Sequence, residues 1–326
     1  MGAVKSIFTI VALLSALLAA GPAAAQTSYP EQAIRILVGF PPGGPPDIAA
    51  RLLGEKFAEA WGRAVVIENA TGSGGNVAVE RVTKAAPDGY TLLMANSAIA
   101  INPSLSDKLP YDPVKDLAPI SLAVVTPIVL VVHADVPARS VGELIALARA
   151  RPGTLTFGSA GGGTPSRLAG ELFKSMAGID IAHVPYRGNP ALLPDLLAGR
   201  ITMAFPNTAV VLPQMQSGKL RALAVTSPKR TSAMPELPTL AETGLPGFDA
   251  TAWYGLMAPA GTPGPIIDKL HRETARVLAL PDVRRRLDDL GMEVVANTPA
   301  EFSAVIAAEI PRWAKLIKDA GIKVSD

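Results

Sequence analysis

Two loops carry residue types that can hold an anion without a charged side chain. One is "SAGGGTPS", residues 159–166, which sets three glycines between a strand-like run and a helical pattern. Glycines let successive backbone N–H groups turn toward one point, and the following helix adds the positive end of its dipole. Ser159 and Thr164 contribute hydroxyls to the same turn. Such a loop either binds a carboxylate or phosphate or only packs strand against helix, and its residues alone leave both open. The other is "PPGGPPD", residues 41–47, which is stiffer. Proline offers no N–H, so Gly43 and Gly44 are the expected main-chain donors, and Asp47 is the only charge. Asp47 fits two roles, N-cap of a helix over 47–61 or acceptor from a ligand's ammonium or hydroxyl group.

A third stretch, "VPYRG", places Tyr186 and Arg187 after a short apolar run. Arg187 suits bidentate pairing with a second carboxylate, or a solvated surface; Tyr186 suits a core position or a pocket wall. "GSGGN" at 72–76 reads as a connection that starts a helix. The signatures of catalysis are missing. The chain has no G-x-S-x-G elbow, no Walker loop and no clean dinucleotide fingerprint. Its histidines, His133, His183 and His271, have no paired spacing that would hold zinc, and zero cysteines exclude disulfides and thiolate metal sites. The expectation is a protein that is not an enzyme and uses no cofactor or metal.

These loops need elements to aim them. Strand-like runs such as "AIRILVGF" (33–40), "AVVIEN" (64–69) and "GYTLLMAN" (89–96) alternate with helical patterns. In "DIAARLLGEKFAEAW" (47–61), Ile48, Leu52, Leu53, Phe57 and Trp61 form one stripe, which Gly62 ends. The alternation predicts α/β units with mainly parallel sheets. Further helix starts are expected at Ser140, at Thr164-Pro165, at Thr262-Pro263 and at the capping box Thr298–Glu301, with a kink at Pro311. Residues 228–250, rich in Pro, Thr and Gly, read as an ordered linker along the surface. Two groups of units suggest two lobes, with "AVVTP" (123–127) and "ATAW" (250–253) as the crossings of a hinge. The expected division is lobe 1 over 26–125 and 251–326, and lobe 2 over 126–250. Ligand candidates then lie beyond four strand ends, at Pro41–Asp47, Asn96–Ser97, Ser159–Thr164 and Pro206–Thr208.

The first 25 residues hold one charge, Lys5, an apolar run over 7–20 and small residues at 23–25. This predicts an export signal cleaved after Ala25 and a periplasmic protein. Without Lys5 the chain has 29 basic against 28 acidic residues, too balanced to suggest nucleic acid or a lipid surface.

The motifs together carry a resemblance. "FPPGGPPD", "ENATGSGGN", "AAPDGYTLL", "LTFGSAGGGTPS", "HVPYRG", "DLLAGRI", "RALAVTS", "PTLAETG" and "GLMAPAGTP" occur in this order over about residues 29–323. In this the chain resembles the Bug-type receptors, extracytoplasmic solute-binding proteins of tripartite tricarboxylate transporters. The resemblance implies a type II periplasmic-binding-protein fold, two α/β lobes joined by two crossing strands with the ligand cleft between them. It also implies a small carboxylate ligand (a di- or tricarboxylate, an acidic amino acid or an aromatic acid), membrane permease subunits as partners, and a monomer. A periplasmic partner of a membrane signalling protein would need the same clamp. Carried across, the ligand residues are Pro42, Gly43, Gly44 and Asp47 from one lobe and Ser159, Gly163 and Thr164 from the other, with Asn96, Ser97 and Asn207 facing the cleft. The chain departs from the family pattern at Arg167, where histidine is common, at Pro46, and after "YRG", where Pro190 stands one place early. Arg167 puts a cation at a helix N-terminus, which the dipole opposes unless an anion lies close.

Overall fold

The computed structural model describes residues 29–322, leaving aside 107, 162, 232 and 320. The expected export signal and its cleavage after Ala25 lie outside the described residues. In chain order the strands are β1 (Ile34–Val38), β2 (Val65–Asn69), β3 (Thr91–Asn96), β4 (Leu117–Thr126), β5 (Val129–His133), β6 (Thr156–Ser159), β7 (Ala182–Pro185), β8 (Met203–Ala204), β9 (Leu220–Val225), β10 (Ala252–Pro259) and β11 (Glu293–Val294). The helices are α1 (Pro45–Trp61), α2 (Asn76–Thr83), α3 (Ala98–Ile101), α4 (Val141–Ala150), α5 (Pro165–Ala177), α6 (Asn189–Leu197), α7 (Thr208–Gln216), α8 (Gly264–Leu278), α9 (Pro281–Asp288) and α10 (Pro299–Asp319).

The strands form two sheets, one in the order β11-β4-β10-β3-β1-β2 and the other β7-β6-β8-β5-β9. β1 is a continuous apolar run because helices cover both faces of its sheet; of its residues only Arg35 is exposed. Both sheets are mixed rather than mainly parallel. β1 pairs in parallel with β2 and β3, whereas β10 runs antiparallel to β3 and β4. The reason is the crossing itself. β4 leaves the first sheet for β5, and β10 brings the chain back beside it, so the two must oppose. Their pairing ends at Ala252 opposite Thr126, which sets both crossings side by side.

Each lobe has its own core. In one, Trp253 packs edge-on against Phe302 with ring centroids 5.2 Å apart, beside Leu93, Met257 and Ile306. In the other, Leu192 and Leu196 of α6 cluster with Val131 of β5 and Val225 of β9, and the rings of Phe173 and Phe205 lie 5.7 Å apart. Burying each such side chain contributes about 1.5–3 kcal/mol.

Three expectations about elements need correction. Residues 228–250 run only partly along the surface: Leu240 and Phe248 are buried, and Thr239 bridges to Val225 at the sheet edge. Thr262 is not the N-cap of α8; Pro263 is, and the Thr262 hydroxyl donates to the Pro259 carbonyl at 2.8 Å. α1 begins at Pro45, two residues earlier than its apolar stripe indicated, because prolines are tolerated in a first turn. The other starts form as expected. Ser140 accepts the Glu143 N–H, and Thr298 and Glu301 exchange hydrogen bonds ahead of α10, which runs through Pro311.

Candidate functional site

The first loop is built around a carboxylate that faces inward. Asp47 lies in the first turn of α1, whose N-cap is Gly44, and its side chain is buried. One oxygen accepts the Gly43 N–H at 3.0 Å and Arg51 Nε at 2.9 Å; the other accepts Asn69 Nδ2 at 2.9 Å. Burial raises its pKa, but the hydrogen bonds from Arg51, Gly43 and Asn69 outweigh that and hold it below the ordinary carboxylate range. Asp47 is therefore no N-cap. It ties the loop to β2 through Asn69, which also donates to the Phe40 carbonyl at 2.9 Å. The Gly43 N–H, expected as a ligand donor, is taken up by this carboxylate.

The second loop is held by hydroxyls. Thr164 caps α5, accepting the Arg167 N–H and donating to the Gly161 carbonyl at 2.8 Å. Ser159 Oγ accepts the Gly161 N–H at 3.3 Å and lies 2.7 Å from His183 Nε2. Gly161 has φ +130°, a value that favours glycine. Arg167 is buried and meets Glu171 one turn along, Nε to Oε1 3.6 Å. The acid that a cation in the first turn of α5 requires is thus on its own helix. Burial and the Arg167 charge together push the His183 pKa down to about 4.

The two loops face each other across a cleft, a cavity of about 40 Å³. A Cβ built on Gly163 would stand 1.9 Å from Asn102 Oδ1, and one on Gly188 would stand 3.3 Å from Pro41 Cδ, so backbone from one lobe presses on side chains of the other. Asn102 is fixed in turn by Asn76, whose Oδ1 accepts both Asn102 Nδ2 and the Tyr111 hydroxyl at 2.6 Å. "GSGGN" does more than start a helix, since Gly74 lies against Gly163.

Of the residues proposed from sequence, Gly44, Asn96, Ser97, Thr164 and Asn207 line the cleft. Gly163 lies at the contact between lobes, not on the lining. Pro42, Gly43 and Arg187 are exposed and off the lining, whereas Asp47, Ser159 and Arg167 are buried behind it. Tyr186 is half-buried and donates to Asp195 at 2.7 Å. Reasoning from sequence missed Ser166, Asn189 and Tyr254, which do line the cleft. A signal for Ser166 and Asn189 was available, because both sit in the first turn of a helix that starts beside a glycine. Tyr254 had none; it reaches the cleft from β10, far along the chain.

Among the described residues, four helices of eight residues or more begin at this cleft, α1 at Gly44, α5 at Thr164, α6 at Gly188 and α7 at Asn207, and the single-turn α3 also starts there, at Ser97. The described lining includes no charged side chain. Gly44, Ser166 and Asn189 bring backbone N–H groups that no described residue takes up. Asn189 and Asn207 join, Nδ2 to Oδ1 at 2.9 Å, leaving Asn189 Oδ1 and Asn207 Nδ2 buried without a hydrogen bond. The Asn207 amide approaches the Tyr254 hydroxyl, whose pKa burial pushes well up. Converging helix N-termini around a neutral lining make a place for a small anion.

The family model described as "Tripartite tricarboxylate transporter family receptor" matches residues 49–322. The chain belongs to that family. It is 38% identical to Protein BugT of Bordetella pertussis over 307 residues, 94% of each chain. An R. palustris protein solved with adipate superposes with TM-score 0.87 at 35% identity, covering 90% of this chain and 99% of that one. MatC from Rhodopseudomonas palustris, solved with bound malate, gives TM-score 0.82 at 33% identity, covering 89% of this chain and 100% of that one. The two-lobe receptor fold expected from the motifs is therefore the fold of this chain. No described helix is long and apolar enough to cross a membrane.

Proposed function

We propose that this transporter receptor captures a small carboxylate between its lobes and delivers it to the membrane subunits of a tripartite transporter. The observation that carries this reading is the convergence of helix N-termini from both lobes on one neutral cleft. Adipate and malate, bound to structural relatives, are acids of the size such a cleft takes. Residues 26–125 with 251–326 form one lobe and 126–250 the other, closing about the paired crossings at Thr126 and Ala252. The ligand carboxylate sits against Gly44, Thr164 and Ser166, with Asn96, Ser97 and Asn207 on the walls. Asp47, Ser159, Gly163 and Arg167 shape these groups without touching it.

The protein works in the periplasm as a monomer, after residues 1–25 are removed, and does no chemistry on its ligand. Ser159 and His183 have the spacing of a nucleophile and its base, yet Ser159 is fully buried and the charge acting on the ring is Arg167, not an orienting carboxylate. Thermal unfolding of the protein, first unfolded and refolded to strip co-purified solute, tests the reading against a panel of carboxylic acids. A ligand at a hundred times its dissociation constant stabilises by about 2.7 kcal/mol, several degrees for a chain of this size. A panel with no shift would overturn the proposal.

A further inference from the structure

Asn189 stands at the first position of α6, with Pro190 beside it in the first turn. There its amide meets that of Asn207, the N-cap of α7, at 2.9 Å. Both residues line the cleft, and both are more than nine-tenths buried, 6% and 7% exposed. Each amide carries one amino nitrogen and one carbonyl oxygen, and one bond joins the two, so one nitrogen and one oxygen of the pair stay without a partner. Here these are Asn207 Nδ2 and Asn189 Oδ1, neither of which makes a hydrogen bond. Turning both amides over exchanges the two atoms and leaves the same count. Should Asn207 Nδ2 turn to the Tyr254 hydroxyl, the hydroxyl proton takes over as the donor.

A buried donor and acceptor side by side select a partner that supplies both. A carboxylate only accepts, and it would bring its oxygen against Asn189 Oδ1. An ammonium only donates, and it would leave Asn207 Nδ2 unmet. The neutral lining supplies neither a cation for a second carboxylate nor an anion for an ammonium. We infer that the Asn189–Asn207 pair is a specificity element, and that the preferred ligand is a carboxylate whose far end is a neutral hydroxyl or carboxamide. This rests on the carboxylate reading above and adds the chemistry of the ligand's other end.

Calorimetry on the stripped protein tests it with chain-length-matched sets: succinate, succinamate, γ-hydroxybutyrate and γ-aminobutyrate, then glutarate, glutaramate, δ-hydroxyvalerate and δ-aminovalerate. The hydroxy or carboxamide acid is expected to bind about tenfold or more tightly than the dicarboxylate of its length, since an unmatched buried polar group is a strong discriminator. Asn189→Ala and Asn207→Ala should each bring the ratio of neutral-ended to dicarboxylate affinity within about threefold, whatever either does to affinity overall. Asn189→Asp keeps the shape but removes the amide; it should move the preference to the amino acids, and it decides the matter if the alanine variants do not fold. Dicarboxylates binding as well as or better than their neutral-ended partners would overturn this inference alone. So would a preference that survives all three substitutions. Failure of every acid in both sets would overturn the carboxylate reading with it.

Discussion

The two loops across the cleft reach the same end with opposite chemistry. The loop ahead of α1 is stiffened by prolines and pinned by one buried carboxylate, which gathers Gly43, Arg51 and Asn69. The loop ahead of α5 is rich in glycine, and hydroxyls pin it: Ser159 and Thr164 each bond to Gly161, and Ser166 Oγ accepts the Ala160 N–H. In both, the polar side chains hold the loop's shape more than they face the cleft. What the cleft receives is backbone and helix N-termini already in position. Binding then need not order the loops, so less free energy is lost on association.

The largest test of this pairing is steric. Gly163→Ala would put a Cβ on top of Asn102 Oδ1, at 1.9 Å, and hold the lobes apart. Calorimetry should show carboxylate affinity falling about a hundredfold or more, because affinity scales with the closed fraction. Adding Asn102→Ala should restore most of it. Gly170→Ala makes a contrast, since its Cβ would meet the Phe157 ring at 2.2 Å inside the second lobe. It should lower stability by about 1–3 kcal/mol through overpacking and change affinity little in the protein that remains folded. A Gly163→Ala protein that binds normally would mean the contact between the lobes is not part of closure.

Next in size is Asp47→Ala, which removes three hydrogen bonds and leaves Asn69 Nδ2 with the Phe40 carbonyl alone. The expected loss is about 2–3 kcal/mol in urea unfolding. Because the carboxylate faces inward, plain and amino-substituted acids should weaken by the same factor. A selective loss for amino acids would put Asp47 against the ligand. The lowered pKa also sets a sign: the stability Asp47 contributes is present above its ordinary pKa of 3.8 and is lost as pH falls through its lower folded value.

A third test concerns the hydroxyl-pinned loop. His183 has a folded pKa near 4 against an ordinary 6.5, so the unfolded chain takes up its proton first. Its neutral form contributes stability above pH 6.5, which is lost as pH falls from about 6.5 to about 4. With solvent screening allowed for, the change is on the order of 1 kcal/mol. A melting-temperature profile across that range should be flatter in His183→Gln. Equal slopes in the two proteins would remove the ring from the account of this loop.

How much of this was legible in the sequence depends on distance along the chain. The buried run of β1, the Thr164-Pro165 start of α5 and the capping box before α10 are local patterns, and each formed. So, in principle, was Glu171 as the partner of Arg167, four residues along one helix. Asp47 was misread because its deciding partner, Asn69, is 22 residues away on β2. Phe248 was misread for another reason: its segment has no period, so nothing local marks it as buried. Asn189 and Asn207 pair between two helices of one lobe, Tyr254 reaches them from β10 of the other, and no spacing announces the group.

The smallest expected effect sharpens the comparison most. Arg187 is the residue that its type marks for a second carboxylate, but it is exposed and off the cleft lining. Its neighbours already pair among themselves, Tyr186 with Asp195 and Asp195 with Arg200 at 2.7 Å. An exposed guanidinium gives little net energy even to a formed ion pair. Arg187→Ala should therefore leave affinity for every acid within about twofold and the melting temperature within about a degree. A tenfold loss confined to dicarboxylates would show that closure carries Arg187 over the cleft mouth. The first principle of this site, that neutral groups and helix ends hold the ligand, would then apply to one end of the acid only.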